Sequence, residues 1–591
     1  MNITGIDWAI IVAFFIISLL IGVFTSKKAG TSAKEFFLSG RNMPWWLLGV
    51  SMVATTFSAD TPNLVTDIVR KNGVAGNWAW WAFLLTGMLT VFVYAKLWRR
   101  SEVTTDLEFY ELRYSGKGAA FLRAFRAIYL GVFFNVVIMA TVSLAAIKIG
   151  GVMLGLKPYE TLLITSVVTV IYSSLGGLKG VLLTDFFQFF IAMFGAFAAA
   201  YYILDLPQIG SLENLLTHDN VAGKLDFLPD FSDPNAYIPL FLMPIAIQWW
   251  ATWYPGAEPG GGGYIAQRML AAKDEKNAIG ATLFFNIVHY AVRPWPWILI
   301  ALASLIVFPN VSDISAAFPE IPADKLGDDL AYSAMLTFLP TGLIGIVLAS
   351  LIAAVMSTLS THLNWGSSYI VNDFYLRFLK PEATDKQLVA VGRISTVGLM
   401  VLSAVLALAL SSALDAFNIL LQIGAGTGLI FILRWFWWRI NVYTEISAMA
   451  ISFVVAIFFE LINPKVNWIM IPENQTYLKL IYSVSITTVG WLLVTFLTQP
   501  EKDEVLLSFY RKVTPAAFGW KKVLDRYPNE KQVIGQLPKE IGLMMIGSAM
   551  VYAALFSAGF FIYGNMLGGS IAGVIALAGG VVIIRSWKNL N

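Results

Sequence analysis

The sequence has no cysteine among its 591 residues and only 13% charged residues, against about 25% in an ordinary soluble domain. Without cysteine there is no disulfide, no thiolate metal centre and no cysteine nucleophile. Histidine is almost as scarce: His218, His289 and His362 are scattered, with no metal-ligand spacing and no nucleophile beside them, so an intramembrane enzyme has nothing to work with and no enzymatic activity is expected. Net charge is only +3, and its even spread excludes nucleic acid as a partner. What fills the chain instead is apolar, with 57% hydrophobic and 14% aromatic residues and a mean hydropathy of +0.69. The composition is that of an all-α polytopic membrane protein whose first partner is the lipid bilayer.

Runs of about 20 apolar residues, the length that crosses a bilayer, occur about 15 times: 5–25, 44–67, 76–97, 122–149, 159–177, 181–204, 236–257, 278–308, 339–362, 388–410, 415–436, 443–463, 478–497, 541–563 and 567–585. The first lacks a basic region before it and a small-residue cleavage site after it, so it reads as a retained span rather than a signal peptide. Lys and Arg collect in the loops that follow odd-numbered spans, roughly 28 inside against about 7 outside, which predicts an N-terminus outside and a C-terminus in the cytoplasm of a cell (plasma or inner) membrane. The longest loops, 205–235, 309–338 and 498–540, are too short for a soluble domain of usual size.

Two of these runs fail as helices. In VSMVATTFSADTPNLV, residues 50–65, an apolar helix meets Ser58, Asp60, Thr61, Pro62 and Asn63 at mid-span; in PIAIQWWATWYPGAEPGGGG, residues 244–263, Pro255, Gly256, Pro259 and four glycines do the same. Irregular backbone at membrane depth survives only where protein or a watery cavity satisfies it. Paired breaks in corresponding places are the mark of an inverted-repeat secondary transporter with its substrate between them. The repeats read as 44–204 and 236–438, preceded by an extra span and loop (1–43), separated by the outer loop 205–235 and followed by additional spans (439–591).

A third stretch, ASLIAAVMSTLSTHLN at 349–364, carries four hydroxyls in five positions. At about 100° per residue Ser357, Ser360 and Thr361 share a face with Thr358 at its edge. Such hydroxyls either bond the carbonyl one turn back or, opposite broken helices, offer oxygen ligands to a hard cation. Asp185 is a carboxylate inside an apolar span, either a functional group facing a cavity or an interfacial residue reaching water. No Lys or Arg lies within a turn of it on its own span, so a cation shared with the hydroxyls is its expected partner. Asp60, on the break, either meets substrate or holds the unwound backbone; Glu258, beside the second break, is a site residue or a loop residue.

These stretches, with FFLSGRNMPWW at 36–46, TDLEFYELRY at 105–114, GGLKGVLLTDFFQ at 176–188, YIAQRMLAAKDEKNA at 264–278 and NDFY at 372–375, resemble the sodium/solute symporter family of glucose, proline and sialic acid cotransporters over about residues 5–440. The resemblance implies a leucine-transporter-type 5+5 inverted repeat with one extra N-terminal span and extra C-terminal spans. It implies a first sodium at the carbonyls of Ala54, Phe57 and Ala354 and the hydroxyls of Ser357 and Thr358, and, in members with a second, another at Asp185 with Ser357, Ser360 and Thr361. One or two sodium ions per cycle and no organic cofactor are expected. Substrate positions match less well; Asp60, Thr61, Gln248, Trp250, Trp253, Tyr290 and Gln422 are the candidates, and the tryptophans form either a sugar platform or an interfacial belt. The expected activity is sodium-coupled import of a small polar solute, a sugar or sugar derivative, by a monomer. The alternatives are an amino acid or carboxylate symporter and a non-transporting membrane solute sensor.

Overall fold

The computed structural model describes residues 3–56, 58–254, 256–410, 420–472, 475–530 and 536–587. Among them the chain is helical throughout, and the only extended pairing is an isolated bridge between Met43 and Ala272. Eleven helices are long and apolar enough to cross a membrane, fewer than the fifteen or so apolar runs, and the differences have physical causes. Runs 159–177 and 181–204 merge into one element, Pro158–Leu204, of 47 residues. At 1.5 Å per residue it would be about 70 Å long if straight, twice a bilayer's hydrocarbon core. It bends at Gly177, whose φ of 54° suits glycine alone, and a Cβ there would lie 2.7 Å from the Phe36 carbonyl oxygen. Run 44–67 is two helices, Trp45–Thr56 and Asp60–Asn72. Run 236–257 is helical, with π turns, from Pro234 to Ala251, and helix resumes only at Gly263–Ala271. Run 415–436 begins outside the described residues.

The surface and interior are sorted as lipid requires. Phe24, Leu163, Phe194, Ile394, Val454 and Leu577 are exposed on the periphery, whereas Asp185, Arg268, Arg293, Ser360 and Thr361 are fully buried. At the centre Leu343–Ser368 packs along Pro158–Leu204, and Trp45–Thr56 packs against both Pro158–Leu204 and Glu275–Ile287. Part of the loop 498–540 docks as a cap: Asp503–Val513 buries Leu506, Phe509, Tyr510 and Val513. Arg113 lies 5.1 Å from the Trp520 ring centroid while its guanidinium donates to the carbonyls of Arg434, Trp437, Trp438 and Ile440.

Candidate functional site

The helix Trp45–Thr56 stops one residue short of Phe57, which lies outside the described residues, and chain direction resumes as helix at Asp60. A helix end leaves four carbonyls without intrahelical partners, and here side chains from two other segments meet them. The Arg293 guanidinium donates to the carbonyl oxygens of Val53 (2.8 Å) and Thr56 (3.3 Å), and the Thr358 hydroxyl donates to that of Thr55 (2.7 Å). Ala54 and Ala354 are buried on the two helices that face each other here, each 2% exposed. The break therefore gathers carbonyl and hydroxyl oxygens, the donor set a sodium ion takes.

One turn away lies a buried polar network. Asp185 accepts from Ser51 Oγ (2.5 Å) and Ser357 Oγ (2.6 Å). It has no basic neighbour on its own helix, but tertiary packing supplies one: Arg268 Nη2 stands 3.8 Å from its Oδ2. The same guanidinium donates to Thr361 Oγ1 at 2.7 Å and to Ser51 Oγ at 3.2 Å, and Thr361 Oγ1 is 2.9 Å from Thr55 Oγ1. Ser360 turns aside, its hydroxyl donating to the Ser357 carbonyl at 3.0 Å. The carboxylate and the hydroxyls of Ser357 and Thr361 thus converge, with a guanidinium among them. Gln267, which accepts from Arg268 Nη1 (3.1 Å) and donates to Asn364 Oδ1 (2.9 Å), ties the network to the hydroxyl-rich helix.

The second break is longer. From Thr252 the chain is extended, and Gly256, Gly260 and Gly261 take φ of 82°, 75° and 74°. Its polar backbone is satisfied by another irregular stretch: Trp253 N donates to Gly424 O (3.2 Å) and Gly426 N to Ala251 O (2.7 Å). A Cβ on Gly424 would lie 2.3 Å from the Trp253 carbonyl oxygen, so the approach demands glycine. The Trp98 indole donates to Gly260 O at 2.8 Å.

Between the breaks lies a cavity of about 80 Å³, well short of the roughly 300 Å³ at which ligand pockets begin, so the helices must part to admit a solute. Asp60, Thr61, Thr56, Thr141, Tyr254 and Tyr264 contribute its polar wall. Thr56 Oγ1 and the Tyr264 hydroxyl are 3.0 Å apart, and Asp60 Oδ1 is buried without a hydrogen bond among the described residues. Of the substrate candidates, Asp60 and Thr61 are on this wall. The others lie elsewhere: Gln248 Nε2 donates to Ala79 O (2.7 Å), Trp250 Nε1 to Ala246 O (2.7 Å) and Gln422 Nε2 to Ser483 Oγ (2.5 Å). Tyr290 stacks on Trp80 and Trp253 packs edge-on to Phe134. Sequence reasoning missed Thr141, Tyr254, Tyr264 and His362. Tyr254 and Tyr264 bracket the glycine-rich break, a signal that was available; nothing local marks Thr141.

The family model for the sodium:solute symporter family matches residues 36–452, most of the chain. The chain belongs to the sodium:solute symporter family. This symporter is 26% identical over 476 residues to the sodium/glucose cotransporter of Vibrio parahaemolyticus, covering 77% of this chain and 85% of that one. To the human sodium/myo-inositol cotransporter 2 it is 26% identical over 555 residues, covering 85% and 78%. Its fold is similar to that of a solved sodium-coupled sialic acid symporter, with a TM-score of 0.66, 20% identity and coverage of 85% of this chain and 99% of that one. The architecture is thus of the leucine-transporter type, the relatives are transporters, and sodium-coupled import of a solute is the activity the symporter carries out.

Proposed function

We propose that this symporter imports a neutral polyhydroxylated solute, a sugar or sugar derivative, between the two breaks. The observation that carries the reading is the cavity wall, whose polar part is made of hydroxyls, His362 and the Asp60 carboxylate beside apolar Leu64, Ile138, Val142 and Leu420. A solute bringing its own carboxylate would face Asp60, whereas a polyol can donate to it and accept from the threonine and tyrosine hydroxyls. The glucose and myo-inositol cotransporters among the relatives agree with a polyol. The competing amino acid or carboxylate reading is tested by sodium-dependent thermal stabilisation against sugars, cyclitols, sugar acids and amino acids, since a ligand stabilises what it binds. Stabilisation by sugar acids or amino acids alone overturns the proposal. A sensor is separated from a carrier by uptake into sealed proteoliposomes.

The sodium is assigned to the first break, at the carbonyls of Ala54, Phe57 and Ala354 with the hydroxyls of Ser357 and Thr358. One sodium per cycle is the reading supported by Arg268, because a tethered cation already stands beside Asp185, Ser357 and Thr361. A site at Asp185, Ser357, Ser360 and Thr361 for a second ion would require that guanidinium to withdraw. The 5+5 halves 44–204 and 236–438, the N-terminus outside, and a monomer complete the proposal; the sign of the transported charge then follows inward sodium.

A further inference from the structure

The eleven residues 252–262 exceed what interrupting a helix requires, and they carry one charged side chain, Glu258. It is 3% exposed, and neither Oε1 nor Oε2 has a hydrogen bond among the described residues. The side chain is packed tightly over glycine backbone: a Cβ on Gly263 would lie 2.7 Å from Glu258 Oε1 and 3.2 Å from the Trp365 ring, and one on Gly262 would lie 3.3 Å from Glu258 Cβ. A second carboxylate reaches the same backbone. Asp106 Oδ2 accepts from Gly263 N at 2.9 Å, and its Oδ1 accepts from the Tyr369 hydroxyl. Trp365 Nε1, on the same wall, is also buried without a hydrogen bond among the described residues.

The other titratable and charged neighbours of the pair include Arg126, Arg434, Tyr254, Tyr264 and, beside Asp106, Asp373, which is itself paired with Arg123. Arg434 is paired with another carboxylate, whereas Arg126 hydrogen-bonds no carboxylate and acts on Glu258 and Asp106 only through its charge. Arg434 Nη1 lies 3.1 Å from the Tyr110 hydroxyl and 3.5 Å from Glu445 Oε1. Arg126 donates to Met449 Sδ at 3.2 Å and sits 4.9 Å from the Phe431 ring centroid. The helix Gly263–Ala271 offers its N-terminus to an anion, but its Gly263 N–H is already given to Asp106. An ionised carboxylate with no side-chain donor, approached only by the backbone N–H groups of Gly256 and of its own residue and buried near another carboxylate, is penalised both by desolvation and by repulsion.

We propose that Glu258 is a proton-binding site: its carboxylate takes up one proton from water to become a neutral carboxyl, with Asp106 the ionised neighbour held by Tyr369 and Gly263. A proton needs no added volume within these contacts, whereas a metal ion would need further oxygen ligands brought in. The second break then carries a titratable group, and the symporter responds to pH through a residue outside its sodium ligands.

The test is infrared difference spectroscopy of the full-length protein in lipid, titrated with pH at fixed sodium. A carboxylic acid C=O band is expected in the wild type at neutral pH and is lost in Glu258→Gln. Because the folded state holds a proton that the unfolded state releases, the wild-type melting temperature should fall as pH rises, and that fall should flatten in Glu258→Gln. Should that variant fail to fold, Asp106→Asn serves instead: with the neighbouring charge removed, the band should persist but titrate at lower pH. An unchanged band in Glu258→Gln, or an unshifted titration in Asp106→Asn, overturns the proposal. So does a sodium-dependent, pH-independent stabilisation that Glu258→Gln abolishes, which would make the group a sodium ligand.

Discussion

The two breaks solve one problem by different means. The first is short, and its orphan carbonyls are met by side chains, Arg293 and Thr358. The second is long, and its backbone is met largely by other backbone, the irregular stretch at Gly424 and Gly426. Side-chain caps can swing away and hand their carbonyls to an ion. Backbone pairing is rigid and demands glycine, so it builds a wall. The contrast suits the first break to the proposed sodium site and the second to the proposed proton-binding carboxyl.

The sharpest way to break this contrast is Arg293→Ala. It strips the first break of its guanidinium and leaves buried carbonyls unmet, which should cost about 3 kcal/mol or more, since charge-assisted hydrogen bonds contribute roughly 1.5–3 kcal/mol each; thermal melting in detergent measures it, and Arg293→Lys should restore part. Next, Gly424→Ala drives a methyl into the Trp253 carbonyl and should destabilise by roughly 1–3 kcal/mol, the usual cost of overpacking. If the second break instead relaxes without loss of melting temperature, its wall is not the rigid one described.

Thr358→Ala should be milder, because other oxygens remain. A loss of about 1 kcal/mol would weaken apparent sodium affinity roughly fivefold, read from the sodium dependence of solute uptake or of thermal stabilisation. Unaltered sodium dependence in the Ser357→Ala, Thr358→Ala double variant would remove sodium from the first break. The smallest expected effect is on coupling. If, as proposed, Arg268 is the resident cation and the solute is neutral, one charge accompanies each solute, a driving force of about 2.3 kcal/mol per 100 mV, and Asp185→Asn should leave the charge-to-solute ratio at one even while it lowers stability. A wild-type ratio of two that drops to one in Asp185→Asn would instead place a second sodium beside Asp185.

Much of this was legible before any coordinates. The interruption at Ser58–Asp60 announced itself because polar and proline residues stand where lipid tolerates none, and the hydroxyls of 357–361 because helical periodicity puts three of them on one face. Gly177 was harder: nothing in GGLKG distinguishes a loop between two spans from a kink within one. Tyr254 and Tyr264 could have been found by asking which side chains flank the glycine-rich break. Gln248, Trp250 and Gln422 illustrate the opposite failure, since a polar or aromatic residue near a break can equally spend its hydrogen bond on a neighbouring helix.

The sequence by itself determined that the chain lives in a membrane, where its helices break and which hydroxyls and carboxylates lie at membrane depth, because hydropathy and periodicity are local properties written residue by residue. Only the tertiary structure decided what each of those groups meets. That Asp185 faces Arg268 from another helix, that Arg293 closes the end of Trp45–Thr56, and that Glu258 lies unbonded beside Asp106 depend on how distant segments pack, and a buried polar group acquires its role from the partner that packing brings or withholds.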